Sequence, residues 1–253
     1  MNNDYVKKYA VLEKENWWFV VRKKIITNVL QRHLGEAVND ASSRILNVGA
    51  AAGESTVLLS AFGKVISVEN DPYFVDHLLK RGVEAMKADI TALPFPDNSF
   101  DLVCAFDVLE HVENDSLAMK ELVRVCRYDG FICITVPMFK SLWGEHDVVN
   151  GHYRRYSRDE ISTLIKSQQL RTVYISYFNT ILFVPLLIFR RVLSFRRSKN
   201  VKETKSDFQW VRHNSFLARV LKCLFNLETY ILPQKSLPFG VSLLSLSKKD
   251  INK

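Results

Sequence analysis

Arg44-Ile45-Leu46-Asn47-Val48-Gly49-Ala50-Ala51-Ala52-Gly53-Glu54 is the stretch that decides the architecture of this chain. A short β-branched and apolar run stops at Gly49, every position through Gly53 is small, and helical character resumes from Glu54 to Phe62. This is a strand that turns tightly into a helix, and small residues in such a turn let the backbone come close to a ligand. The spacing is G-x-x-x-G, not the G-x-G-x-x-G of dinucleotide sites. No Lys-Ser/Thr follows Gly53, which excludes a phosphate-binding P-loop.

Downstream the same alternation repeats. Lys64–Glu69 reads as a second strand, Asp71-Pro72 as a helix start, Val83–Lys87 as a third strand, and Leu93–Ser99 as a loop with two prolines. Phe100–Phe106 is a fourth strand, Asp115–Cys126 a helix and Phe131–Val136 a fifth strand. Strands alternating with helices predict a parallel sheet wrapped by helices. Upstream, residues 4–34 read as helical around Trp17, Trp18 and Phe19. After Pro137 the pattern changes: 138–156 is a loop dense in Trp, His, Arg and Tyr, and Ser157 caps a helix with Glu160 three positions on. Arg171–Tyr177 alternates like a strand, Phe178–Phe189 is almost wholly apolar, Asn214–Leu232 is helical, and Gly240–Ser247 is the last strand. The expected organisation is an N-terminal helical lid (1–43), a core (44–177), a basic and apolar helical insertion (178–238), and the last strand and tail (239–253).

The chain has 253 residues, 47% hydrophobic and 25% charged, ordinary for a globular protein with a sizeable core. The four cysteines match neither a zinc site nor a redox pair, so packed, reduced thiols and no metal are expected. Met1–Phe19 is charged throughout, which predicts no signal peptide and a cytoplasmic protein. The net charge of +8 is concentrated: Arg190–Lys222 holds ten Lys/Arg against two Asp/Glu, which is +8 by itself. A basic footprint spread over a nucleic-acid-binding domain is absent, and no nucleic-acid partner is expected.

Two acids complete the turn. Glu69 ends the second strand, where a carboxylate can accept hydrogen bonds from a ribose diol. Asp89 follows the third, where it can accept one from an adenine amine. Glycine loop, Glu69 and Asp89 lie at the ends of successive strands on one sheet edge, and together they suit an adenosine ligand without a pyrophosphate.

Leu46-Asn-Val-Gly-Ala-Ala-Ala-Gly53, Val68-Glu69, Ala88-Asp89 with Leu93-Pro-Phe-Pro, and Phe100-Asp-Leu-Val with Asp107-Val-Leu-Glu-His-Val112 resemble the ordered motifs of class I S-adenosylmethionine-dependent methyltransferases. The similarity is to the bacterial type-11 group, some of whose members are encoded beside glycosyltransferases. It extends to Trp17-Trp-Phe19 with Arg22, Val136-Pro137, Leu142-Trp143, His146-Asp147, His152-Tyr-Arg-Arg-Tyr156, Tyr177-Phe-Asn179 and Leu237-Pro-Phe-Gly240. The resemblance implies a Rossmann-like α/β fold: a seven-stranded, mostly parallel sheet with the last strand antiparallel and a helical cap inserted before it. It implies S-adenosylmethionine as cofactor, with Gly49, Ala51 and Gly53 lining methionine and ribose, Glu69 on the ribose hydroxyls and Asp89 on the adenine amine. Phe106 and Leu109 would border the sulfonium. Arg22 either reaches the cofactor carboxylate or is a solvated helix arginine. Three departures stand out: Asn47 replaces the usual acid, Ala51 the middle glycine, and Tyr128-Asp129 the usual Pro-Gly.

Methyl transfer asks the protein to position a nucleophile, and a hydroxyl nucleophile also needs a proton acceptor. His111, His146 and His152 are the candidates, each with a loop-ordering role as the other reading. Trp143, Arg154, Arg155 and Tyr156 are the acceptor-side candidates; the arginines either grip a phosphate or carboxylate or pair with Asp147, Asp159 or Glu145. The insertion, apolar and then basic, reads either as a helix on an anionic membrane or as a buried cap with a basic solvent face. The expected function is methylation, on oxygen, of a small-molecule or lipid-linked acceptor, with glycans among them. The alternative is a catalytically silent, cofactor-binding or scaffold protein of the same fold at the membrane surface.

Overall fold

The computed structural model of the chain describes residues 3–38, 42–185, 187–188 and 216–250. Its strands are β1 (Arg44–Val48), β2 (Lys64–Glu69), β3 (Ala85–Lys87), β4 (Phe100–Phe106), β5 (Cys126–Pro137), β6 (Arg171–Phe178) and β7 (Ser242–Lys248). They form one sheet in the order β3-β2-β1-β4-β5-β7-β6. The pairs among β1 to β5 are parallel, and β7 runs antiparallel to both β5 and β6. The seven-stranded, mostly parallel sheet expected of the sequence is the sheet observed; much of the expected cap lies outside the described residues.

Alternation along each strand explains why the central strands read as unbroken apolar runs. Ile45, Leu102, Cys104 and Cys133 face one layer, which holds α2 (Trp17–Leu34), α3 (Glu54–Leu59) and α8 (Phe216–Ile231). Leu46, Val103, Ala105 and Ile134 face the other, with α5 (Asp115–Val125) and α7 (Arg158–Ser167). A sheet covered on both faces needs apolar residues at every position, so a period of two is hidden in its sequence. Two further helices, α1 (Asn3–Glu15) and α4 (Pro72–Lys80), meet over the glycine turn, where Val6, Ala52 and Phe74 form a small buried cluster.

Some local expectations need correction. The helix expected over 4–34 is two helices. Asn16, at φ −66° and ψ 130°, leaves the helical region and its side chain accepts from the Trp18 N–H at 2.9 Å, so it caps α2. The loop expected over 138–156 contains a 3-10 turn, Lys140–Leu142, and a short helix α6 (Glu145–Val149). Cys104, Cys126 and Cys133 are buried, but Cys223 is exposed. The Ser157–Glu160 box forms as expected, with reciprocal bonds of 2.7 and 3.2 Å. Asp129, at φ +59°, occupies the left-handed region, a conformation aspartate tolerates better than most residues.

The basic stretch, including Arg190, Arg191, Arg196 and Arg197, lies outside the described residues. After it in sequence, Glu228 of α8 is buried and its carboxylate accepts from the N–H groups of Asn179 (2.7 Å), Thr180 (2.8 Å) and Ile181 (3.4 Å). Phe225 of α8 packs edge-on against Trp17 of α2. Phe216, Val220, Leu224, Leu227 and Ile231 line the opposite, exposed side of the helix. No helix among the described residues is long and apolar enough to cross a membrane.

Candidate active site

The turn after β1 has the backbone that close approach requires. Gly49 (φ +70°) and Gly53 (φ +101°) are left-handed; a Cβ on Gly49 would run into Val108, and one on Gly53 would come within 2.8 Å of Leu78 Cδ2. Ala51 also stands at a positive φ, +45°, a conformation that glycine adopts at lower cost. Asn47 is fully buried beneath the turn and donates to Ser55 Oγ and Thr56 Oγ1, both at 2.9 Å. It therefore pins the first turn of α3 onto β1 without the charge an acid would bring, and its Oδ1 has no partner.

Glu69 reaches back into the turn. Its Oε2 accepts from the Ala51 N–H at 2.9 Å, and its Oε1 from the N–H groups of Asn70 (2.8 Å) and Asp71 (3.3 Å). Burial raises its carboxyl above the usual range, while these amides pull it down. Asp89 is exposed and accepts from the Thr91 N–H (2.8 Å) and hydroxyl (2.7 Å), which lower its pKa.

Arg22 is not a solvated arginine. Its Nη2 pairs with Asp107 Oδ2 at 2.7 Å and donates to Thr135 Oγ1 at 2.9 Å, while Thr135 donates to Asp107 Oδ1 at 2.9 Å. The guanidinium also lies over the rings of Trp18 (5.3 Å) and Phe106 (5.9 Å). Beside it opens a shallow cleft lined by Glu13, Arg22, Lys23, Glu54, Ser55 and Phe106, among others. Two buried polar atoms of opposite character on its wall, Glu13 Oε2 and Arg22 Nε, have no partner. A glycine cradle, two strand-end carboxylates and this cleft fit a nucleoside that carries an amino-acid tail. Leu109, in contrast, is fully buried in the core beneath the loop.

The histidines converge. Val108, against which Gly49 packs, leads into the 3-10 turn Leu109–His111. The ring of His111 lies 4.6 Å from that of His152, edge to face, and that of His146 is 6.0 Å from His152. His152 Nδ1 stands 2.9 Å from Asp147 Oδ1. Asp147 is fully buried and also accepts from Arg155 Nε (2.7 Å) and the Gly144 N–H (2.8 Å). Burial would raise its carboxyl, but bonds from His152, Arg155 and Gly144 outweigh it and bring it down to about 2. Desolvation, with His152 close by, holds His111 at about 4.

Of the acceptor-side candidates, Trp143 is exposed and Arg154 pairs with Asp115 at 3.0 Å. Arg155 and Tyr156 are buried rather than presented to a ligand. Arg155 is held by Asp147 and by the Met138 carbonyl (3.2 Å), and the Tyr156 hydroxyl donates to Asp115 at 2.9 Å. Of the two readings weighed for Arg155, the pair with Asp147 is the one formed. Sequence reasoning missed Glu13, Asp107 and Thr135. Asp107 carries the strand-end signal that found Glu69; the other two carry none.

Residues 46–134 match the family model of a type-11 methyltransferase domain. A probable S-adenosylmethionine-dependent methyltransferase of Mycobacterium tuberculosis is 29% identical over 159 residues, 61% of this chain and 56% of that protein. A malonyl-(acyl-carrier protein) O-methyltransferase of Halorhodospira halophila is 29% identical over 140 residues, 50% of this chain and 47% of that one. The chain thus spans about half the length of these curated relatives. A solved S-adenosylmethionine-dependent methyltransferase from Archaeoglobus fulgidus shares the fold, with a TM-score of 0.59 at 16% identity over 96% of this chain and 99% of that one. The turn after β1, its strand-end acids and these similarities together identify residues 46–134 as a methyltransferase domain, similar to S-adenosylmethionine-dependent methyltransferases.

Proposed function

We propose that the chain transfers a methyl group to an oxygen of a small-molecule or lipid-linked acceptor. The observation that carries this reading is the position of the histidine cluster: through Val108 it adjoins the glycine cradle, on the same sheet edge. The O-methyltransferase among the relatives supports oxygen as the acceptor atom. The cofactor brings an activated methyl group on a sulfonium, so the chain's task is to bind, orient and exclude water. In this proposal Glu69 accepts the ribose hydroxyls, Asp89 the adenine amine, and Arg22 holds the cofactor carboxylate. Residues 1–43 act as the lid over the methionine end, with α1 already packed on the turn. The cluster of His111 and His152 lowers the cost of deprotonating the acceptor hydroxyl. Calorimetry with S-adenosylhomocysteine, followed by a metabolite-extract screen for cofactor turnover, tests the reading. Failure of the folded protein to bind S-adenosylhomocysteine would overturn it.

A second reading concerns location. The exposed apolar stripe of α8 borders a sequence segment carrying all of the chain's net charge, which suits the surface of an anionic membrane. The protein should then co-sediment with anionic vesicles and not neutral ones, and release in high salt. Absence of binding to anionic vesicles at low salt rejects this location.

A further inference from the structure

We infer that Glu110, His111 and His152 form a site for one divalent transition-metal cation on the acceptor side of the cleft. Each residue offers one ligand atom, and the three atoms lie within 4.8 Å of one another. Bonds of about 2.0–2.2 Å to a shared ion would separate neighbouring ligands by roughly 3–3.5 Å, a gap that side-chain torsions can close.

Three independent features make this more than a chance grouping. Glu110 is 1% exposed and its Oε2 has no hydrogen-bond partner. A buried, unsatisfied carboxyl oxygen is costly and calls for a compensating group, which a cation supplies. His152 is oriented as metal-bound histidines are. Because Asp147 can only accept, Nδ1 is the donor, and Nε2 is left as the lone-pair nitrogen. Asp147 in turn is fixed by Arg155 and the Gly144 amide, so the orienting carboxylate is itself rigid. The backbone ties the two halves of the site together, since the Tyr153 N–H donates to the Glu110 carbonyl at 2.7 Å and the His152 N–H to the Asp147 carbonyl at 2.9 Å.

Two imidazoles and one carboxylate favour manganese, iron, cobalt, nickel or zinc over magnesium or calcium, which take oxygen ligands. Three protein ligands would leave coordination positions open, and His111 is exposed, so the site is within reach of solvent. An acceptor hydroxyl entering such a position becomes more acidic: its O–H bond breaks heterolytically, the proton passes to water, and the electron pair stays on oxygen. Acceptors with two adjacent oxygens, such as a vicinal diol or a hydroxy acid, would chelate best. This use of the cation rests on the methyl-transfer reading above; the cation site does not.

The test is titration of the EDTA-treated full chain with MnCl₂, followed by the loss of the free-ion electron paramagnetic resonance signal. One Mn²⁺ per chain should bind with a micromolar Kd, weakened at least tenfold in Glu110→Gln and in His111→Ala. Calorimetry with S-adenosylhomocysteine is run on each protein. Should Glu110→Gln fail to fold, His111→Ala, altered at an exposed ring, carries the test. No binding below millimolar Mn²⁺, or equal binding in folded variants, overturns the cation site even if S-adenosylhomocysteine binds. Site-dependent Mn²⁺ binding with no S-adenosylhomocysteine binding keeps the site and overturns the methyl-transfer reading instead.

Discussion

Replacing Glu13 with glutamine isolates the cost of a carboxylate buried on the wall of the cleft. Glu13 is 8% exposed, and one of its oxygens has no partner. Desolvation pushes its carboxyl up from 4.5 to about 7, with Glu54 adding to the rise. The Glu54 backbone N–H, Arg22 and Arg81 limit it. At 1.36 kcal/mol per pKa unit, that rise corresponds to about 3 kcal/mol. The folded state holds this proton more tightly than the unfolded state does. The associated stability is therefore fully present below pH 4.5 and is lost as pH rises through about 7. Glu13→Gln removes the titration while keeping the shape. Urea unfolding of both proteins across this range should give stabilities within about 1 kcal/mol of each other at pH 5. At pH 8.5 the variant should be the more stable by about 3 kcal/mol. Taking the difference between the two proteins cancels every other titrating group. A difference that stays flat from pH 5 to 8.5 would refute the burial of this carboxylate.

Four further outcomes follow from the site. Glu69→Ala should weaken S-adenosylhomocysteine by about 1.5–3 kcal/mol in calorimetry, the scale of charge-assisted bonds; unchanged affinity in a folded variant removes Glu69 from the site. Ala51→Gly should bind S-adenosylhomocysteine equally or more tightly, because it relieves a left-handed alanine at a cost of about 1 kcal/mol or less in chain entropy. A marked loss would show that the methyl group makes a useful contact. Asp147→Ala removes the carboxylate that neutralises the buried Arg155 guanidinium and should destabilise the fold by about 3–5 kcal/mol in thermal melts, a shift of less than about 1 kcal/mol being the contrary result. Once an acceptor is in hand, His111→Ala should lower turnover by about 10²–10⁴-fold with S-adenosylhomocysteine affinity nearly unchanged. Retained turnover would exclude His111 from the chemistry.

What the sequence made legible was local in origin. The turn at Gly49–Gly53, the Pro72 helix start and the Ser157–Glu160 box each depend on residues a few positions apart, and each is found where the residues predict it. The acids at the ends of β2 and β3 could be placed because a parallel sheet brings strand ends to one edge. What stayed hidden depends on distant residues. The cluster of Glu110, His111 and His152 joins two loops distant in sequence, and nothing in 138–156 marks Asp147, which orients His152, as the member that becomes buried. Arg155 looked available because arginines usually are, and only the fold shows its guanidinium turned inward onto Asp147. Asn16 interrupts a pattern whose apolar spacing runs straight through it.

The strand order also bears on how the chain is made. β7 is the last strand in sequence yet sits between β5 and β6, each of which pairs with it and not with the other. While the polypeptide emerges from the ribosome, β1 to β5 can assemble as a parallel sheet, but β5 then presents an unpaired apolar edge and β6 has no neighbour to join. Both stay open until Ser242–Lys248 has been released, and open edges recruit strands from other chains. Synthesis therefore passes through an interval in which a nascent chain is vulnerable to self-association, and that interval ends with β7.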